Sequence, residues 1–417
     1  GVLICLFASL LQPAWQFVRP QGVGGELSSL GVNLAFLPKD DKNTFLITFK
    51  LPEDAPLEET DRLVRDISRI VLAHEEVMNT QTFVGEPSVI DFNGQLKGNA
   101  SNIGSQFAEV RINLSHKWTR DISSIEIVKQ LRKELAGTIG QNPEATIQFV
   151  EDPPGPLVRA TVLAEVYEQD NQMREAVVQD LEAVFKDTWD MAEVWTSNTI
   201  PINEFNFKID QRRVLLAGLD VQQVASALSF FIQGDIVNHL YEHEARNPIP
   251  IRLVVPHDQR ITPEILAQTF VKNNEGASVP LSTVIDIVRT EKATPIFHKD
   301  NERVSYVGGE LSASAPLYAV LDIDQRIEAM AFGNESVITT RNLGFVPDPP
   351  TTLEGSIVHW DGELRLTLDA FRDMVIALGL SILAIYFLLV TYYQSFGLPL
   401  LVMVSIPLGL IGVFPGH

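Results

Sequence analysis

The stretch "MVIALGLSILAIYFLLVTYY", residues 374–393, carries no charged side chain. The chain around it is acidic, with 53 Asp and Glu against 32 Lys and Arg and a formal net charge of -21. A lipid core about 30 Å thick needs roughly 20 apolar helical residues, and this stretch has that length. A helix satisfies its own backbone polar groups, as lipid demands. Tyr392 and Tyr393 stand at one end, where amphipathic rings favour the membrane interface, and Arg372 and Asp373 mark the other edge. The competing reading is a buried core helix, although core helices usually keep a polar side.

The short link "QSFG" (394–397) leads into "LPLLVMVSIPLGLIGVF" (398–414). So tight a link predicts a second helix, over 397–417, returning beside the first; Pro399 and Pro407 are tolerated in membrane helices. At the other terminus, "GVLICLFASLLQ" is apolar and uncharged up to Pro13, where a break is expected. It has neither basic leader nor small-residue cleavage site, which makes a signal peptide the weaker reading. The expectation is the end of another spanning helix, in a piece of a larger membrane protein.

All charged residues fall between Arg19 and Asp373, so the polar part is one block on one side of the membrane. Its negative charge argues against nucleic acid and anionic headgroups as partners and suits cationic ligands. Cys5 is the only cysteine, which excludes a disulfide within the chain and any cysteine-based metal site. No cofactor motif is found.

Within the block, "NTFLITFKL" (43–51) alternates like a strand. "PLEETDRLVRDISRIVL" (56–72) has Pro56 and acidic residues at its start and one apolar stripe, the signature of a helix. "MNTQTFVG" (78–85) and "FAEVRINL" (107–114) read as strands, Ser123 and Glu126 as a helix cap, and "ATIQFVE" (145–151) as a fourth strand. The order is βαββαβ, the ferredoxin-like pattern. It restarts with "ATVLAEVY" (160–167), a helix bearing Val177, Leu181 and Phe185, and "MAEVWTS" (191–197). Its second half returns only later, as "ERVSYVGGEL" (302–311), a helix from Pro316, and "GSIVHW" (355–360). The residues between form a separate α+β module.

This layout resembles the C-terminal half of the RND (resistance-nodulation-division) efflux transporter family. "FLPKDDKNTFLITFKLPEDAPLEETDRLVRDI", "NEFNFKIDQRRVLLAGLDVQQVASAL", "VPLSTVIDI", "PIFHKDNERVSYVGGEL" and "YYQSFGLPLLVMVSIPLGLIGV" carry the resemblance, which covers essentially the whole chain. The loop "FVGEPSVIDFNG" departs from the typical multidrug-pump sequence and points to a divergent branch. The resemblance implies an α+β periplasmic region of two ferredoxin-like porter subdomains, 43–155 and 158–202 with 298–362, and a docking subdomain, 203–297. These are flanked by transmembrane helices: the end of one (1–17), a whole one (374–393) and the start of a third (397–417). It further implies a multi-pass protein of the bacterial inner membrane. The expected assembly is a homotrimer with a periplasmic adaptor and an outer-membrane channel, exporting lipophilic or cationic small molecules in exchange for protons. The family's proton relay lies on helices outside this chain.

By the same resemblance the substrate cleft uses a mobile loop, here Gly85 to Gly94 with Pro87, Asp91 and Asn93. Phe83, Phe92 and Phe107 are the candidate substrate contacts, because aromatic rings suit a promiscuous apolar pocket. A core role for Phe83 and Phe107 stays open, as strand residues alternate between faces. Pro87, Asp91 and Asn93 also suit an ordinary turn. "HLYEH" (239–243) matches a zinc-protease pattern but follows a helix end at Gly234 and reads as strand or loop. A copper or silver exporter of the same superfamily would need clustered methionines; the six here are dispersed. A membrane sensor and a protein-export accessory are weaker alternatives.

Overall fold

The computed structural model describes residues 2–20, 22–28, 33–35, 40–89, 100, 102–151, 158–199, 202–242, 247–255, 264–265, 268–312, 314–329, 338–348 and 355–405. The chain divides into two units, residues 1–200 with 295–417 and residues 201–294.

The apolar start forms helix α1 (Val2–Val18), and Pro13 lies inside it rather than ending it. Proline removes one i→i−4 hydrogen bond, a loss that apolar helices of membrane type accommodate. The Arg19 guanidinium then closes the chain by donating to the carbonyls of Gly22, Gly24 and Glu26 at 2.6–2.8 Å.

Strand β1 (Thr44–Lys50) buries every second residue, and Phe45, Ile47 and Phe49 enter the core. Helix α2 (Leu57–Leu72) covers that face with Leu63, Val64, Ile67 and Val71. Strands β2 (Val77–Val84) and β3 (Phe107–Leu114) follow. Helix α3 (Ser124–Gly140) starts where Ser123 Oγ accepts from the Glu126 N–H at 3.3 Å. Strand β4 (Thr146–Glu151) completes an antiparallel sheet ordered β2-β3-β1-β4, with both helices on one face.

Strand β5 (Val162–Tyr167), helix α4 (Asn171–Lys186) and strand β6 (Met191–Thr196) begin the same arrangement again. The second unit comes next. Its strand β7 (Asn203–Ile209) leads to helices α5 (Gln211–Leu216) and α6 (Val221–Gln233), capped by Asp210 and Asp220. Strands β8 (Asp235–Leu240) and β9 (Ile249–Leu253) form an exposed hairpin. The short pair β10 (Phe270–Lys272) and β11 (Ser278–Pro280) and strand β12 (Ile285–Glu291), paired with β7, finish it. Val214, Leu219, Val224, Leu228, Leu281 and Ile285 make its core.

Back in the first unit, β13 (His298–Lys299) turns into the long strand β14 (Glu302–Leu311). Helix α7 (Pro316–Ala329) and strands β15 (Thr339–Arg341) and β16 (Ile357–Gly362) follow. β14 pairs with β6 on one side and β5 on the other, and β5 pairs with β16. This repeats the order of the first sheet, with the other unit spliced between β6 and β14.

Helix α8 (Glu363–Tyr393) grows directly from β16 and is 31 residues long, starting well before Met374. Gly362, at φ 78°, makes the corner. Among the described residues it is the one helix long and apolar enough to cross a membrane, and none of its most apolar 18-residue window is buried. Among the described residues it is therefore not packed as a core helix. Gln394 ends it in the left-handed region and α9 (Gly397–Met403) follows at once; residues 406–417 of the second expected span lie outside the described residues.

Candidate functional site

Phe83 and Phe107, the two candidate phenylalanines on the first sheet, do not face its core, unlike Phe45, Phe49 and Phe149. On β3, Ala108, Val110, Ile112 and Leu114 point to the helices, so alternation turns Phe107, Glu109 and Arg111 to the opposite face. Register places Phe83 of β2 directly across from Glu109, and Glu109 across from Thr48 of β1. Phe107 sits two residues along from Glu109 and opposite Lys50. Phe83, Glu109 and Phe107 therefore share the open face of the sheet, and both rings are half-buried there.

The β2–β3 loop is pinned at its base. The Gly85 N–H donates to the Phe107 carbonyl at 2.8 Å, and the Gly104 N–H to the Gly85 carbonyl at 3.1 Å. Gly85 holds φ 80°, a conformation that L side chains resist. Beyond it the chain folds over the open face, and the Ser88 N–H donates to Glu109 Oε2 at 2.8 Å. Phe92, Asp91, Asn93 and Gly94 lie outside the described residues; Pro87 is half-buried one residue before Ser88.

Glu109 is the residue that motif reasoning passed over. It is 2% exposed, and its Oε1 is buried without a hydrogen-bond partner among the described residues. An unpaired buried carboxylate oxygen is costly, and it offers a ready acceptor to any cation or N–H donor that reaches it. The signal was present in "FAEVRINL", where a glutamate shares its strand face with a phenylalanine. Aromatic surface beside a desolvated carboxylate is chemistry suited to an organic cation.

A second cluster of charge is closed on itself. Glu165 of β5 accepts from Tyr167 Oη at 3.0 Å and Lys299 Nζ at 2.7 Å, with His359 Nδ1 at 3.4 Å. Lys299 also reaches Asp361 at 2.7 Å. Burial opposes ionisation of Glu165, but these donors together hold its carboxyl below the usual range. Burial alone would lower the Lys299 ammonium, and its two carboxylate partners outweigh it and push it up. The adjoining cavity of about 310 Å³ is lined by Arg159, Leu163, Glu165, Lys299, Tyr306 and Asp361 among others. Arg159 stacks over Tyr306 at 4.3 Å, and the two cations of the lining, Arg159 and Lys299, balance its two carboxylates, Glu165 and Asp361. The cluster links β5, β13 and β16 of the second sheet.

Among the described residues the zinc-protease pattern does not lie on a helix. His239 is an exposed residue of strand β8, where i and i+4 side chains do not form the helical pair that pattern needs, and His243 lies outside the described residues.

Compared with known proteins, the chain matches the AcrB/AcrD/AcrF family over residues 27–416. It is 23% identical over 392 residues to the nickel and cobalt resistance protein CnrA of Cupriavidus metallidurans, covering 91% of this chain and 34% of that protein. It is 23% identical over 344 residues to the multidrug resistance protein MdtC of Enterobacter sp. strain 638, covering 78% and 30%. The putative cation efflux system protein SilA of Salmonella typhimurium is 22% identical over 263 residues, covering 63% and 22%. The chain thus spans about a third of the length of the first of these relatives. A crystal structure of a heavy metal efflux pump superposes with a TM-score of 0.67 at 17% identity, over 99% of this chain and 38% of that one, which is a likeness of fold.

Proposed function

The chain belongs to the AcrB/AcrD/AcrF family of RND efflux transporters, and on that premise we propose that it supplies part of the substrate path and the docking region of a pump that exports amphiphilic organic cations. The two sheets of the first unit are its porter subdomains, the second unit is its docking subdomain, and α1, α8 and α9 belong to its membrane part. The working protein is a proton-driven homotrimer of the bacterial inner membrane, joined to a periplasmic adaptor and an outer-membrane channel. Its energy coupling lies in the rest of the protein.

The observation that carries the cargo assignment is Glu109, buried between Phe83 and Phe107 with one oxygen unpartnered among the described residues. A drug-sized cation that displaces the Ser88 segment gains a charge-assisted hydrogen bond and ring contact together. The names of relatives, which include both multidrug and metal exporters, favour a metal cation as the second reading. Among the described residues no group of three His, Cys, Asp or Glu side chains is arranged to hold a metal ion, so a metal at Glu109 would draw further donors from elsewhere.

The test is Glu109→Gln in the full-length pump, with protein abundance matched. Export of a lipophilic cationic dye should fall about tenfold, as expected for loss of roughly 1.4 kcal/mol of binding, while a neutral dye of similar size is exported as before. Loss of metal tolerance with unchanged dye export selects the metal reading. Unchanged export of both removes Glu109 from the path.

A further inference from the structure

Residues 342–348 form a loop beside the root of α8, and its backbone is held by arginines of that helix. Arg365 Nη1 donates to the carbonyls of Asn342 at 3.3 Å and Gly344 at 2.7 Å, and its Nη2 donates to that of Phe345 at 3.4 Å. Arg372 Nη1 donates to the same Phe345 carbonyl at 3.3 Å. Asn342 Nδ2 donates to the Trp360 carbonyl at 2.7 Å, and the Asp348 N–H donates to Asn342 Oδ1 at 3.2 Å. Arg365 and Arg372 are seven residues apart, about 10 Å along the axis, and Phe345 sits against both. The uncharged run of α8 begins at Met374, two residues beyond Arg372.

This ordered loop turns its apolar side chains outward. Phe345 is 58% exposed and Val346 is 74% exposed, level with the start of an exposed apolar surface on α8 that includes Phe371, Met374 and Val375. An apolar loop held this way would be a liability in water. At the headgroup layer it is stable, because its carbonyls already have donors where water is scarce.

We propose that residues 344–347 are a membrane-interface anchor, with Phe345 and Val346 seated in the outer part of the bilayer beside α8. The proposal rests on the reading of α8 as a spanning helix. The partner is a lipid surface, recognised by apolar contact rather than charge. Arg372 is paired with Asp369 at 3.0 Å and Asp373 at 2.9 Å, and Arg365 with Asp369 at 2.5 Å, so no net positive patch faces the headgroups. The anchor fixes the height of the second sheet above the membrane, since β16 runs into α8 without a linker.

The experiment places single cysteines at Val346, Leu388 and Met78 in the full-length protein on a cysteine-free background (Cys5→Ser in this chain). Each is labelled with an environment-sensitive fluorophore and reconstituted in phosphatidylcholine vesicles. Nitroxides on the headgroup or at mid-chain serve as quenchers. The probe at Val346 should be blue-shifted and lose intensity to the headgroup nitroxide more than to the mid-chain one, with the same loss when phosphatidylglycerol is added. Leu388, in the apolar run of α8, should be quenched by the mid-chain nitroxide, and Met78, on the first sheet, by neither. Leu388 quenched with Val346 unquenched overturns the anchor while leaving the span intact. A blue-shifted but unquenched Val346 means that protein covers it, which overturns the anchor equally. An unquenched Leu388 overturns the spanning reading of α8, and the anchor falls with it.

Discussion

Arg132 of α3 grips Glu193 of β6 through two hydrogen bonds, Nε at 2.8 Å and Nη2 at 3.2 Å, and so ties the first sheet of the unit to the second. The same guanidinium lies 5.1 Å over the Phe149 ring, and the Phe149 main chain also hydrogen-bonds the Glu193 carboxylate. β4 and β6 thus meet at a joint that is both charged and buried.

Glu193 makes that joint pH-dependent. Burial pushes its carboxyl above the usual range; Arg132 and the Phe149 N–H counter this, and the nearby Glu310 adds to it. A raised carboxyl contributes stability that is fully present below the ordinary glutamate pKa and is lost as pH rises through the folded value. Glu193→Gln removes that dependence. Thermal midpoints measured across pH should show wild type losing ground to the variant within that window, with a constant difference outside it. Parallel curves would show that the site does not titrate there.

Lys299→Met should destabilise the second sheet by about 3 kcal/mol, the lower end for a broken buried pair because the Lys299 side chain is 35% exposed. It leaves Glu165 and Asp361 facing the same space. The depressed Glu165 carboxyl contributes stability above the ordinary glutamate range that is lost as pH falls through its folded value. Without the ammonium that value rises, so acid unfolding of the variant should begin at higher pH. Denaturant titration at two pH values measures both effects.

Phe83→Ala and Phe107→Ala should cost little stability, about 1 kcal/mol each, because neither ring belongs to the core of the first sheet. Phe49→Ala, in that core, should cost about 3–5 kcal/mol. In the full-length pump the two open-face variants should weaken dye export at normal abundance. Midpoints as low as that of Phe49→Ala would place the rings in a core after all.

Gly362→Ala tests the corner between sheet and helix. An added Cβ would meet the Ala160 carbonyl at 2.6 Å, and the residue holds φ 78°. Strain of about 1–3 kcal/mol is expected from the backbone conformation alone, with the clash in addition. Gly379→Ala, in open space on the same helix, should be neutral or slightly stabilising. Equal thermal midpoints for the two variants would show that the corner relaxes freely.

Much of this architecture was legible in the residues. The period of two in "TFLITFK" and of 3.6 in "LEETDRLVRDISRIVL" identified β1 and α2, and the uncharged run identified α8. These are local signals, set by side chains within a few residues of one another. The expected break at Pro13 did not occur, because one lost hydrogen bond does not end an apolar helix that is otherwise intact.

Although no sequence motif singled out Glu109, alternation alone is enough to put it on one face with Phe107, since that follows from the geometry of any strand. It could not tell which face the helices would cover. That depends on the docking of α2 and α3, and only their packing turned Glu109 away from the core and under Ser88. The same holds for Arg132 with Glu193, 61 residues apart, and Lys299 with Glu165, 134 apart. Such pairs are made by strand register and helix docking acting at a distance. A buried charge persists only where the whole fold has brought its partner within reach, and no local pattern records that.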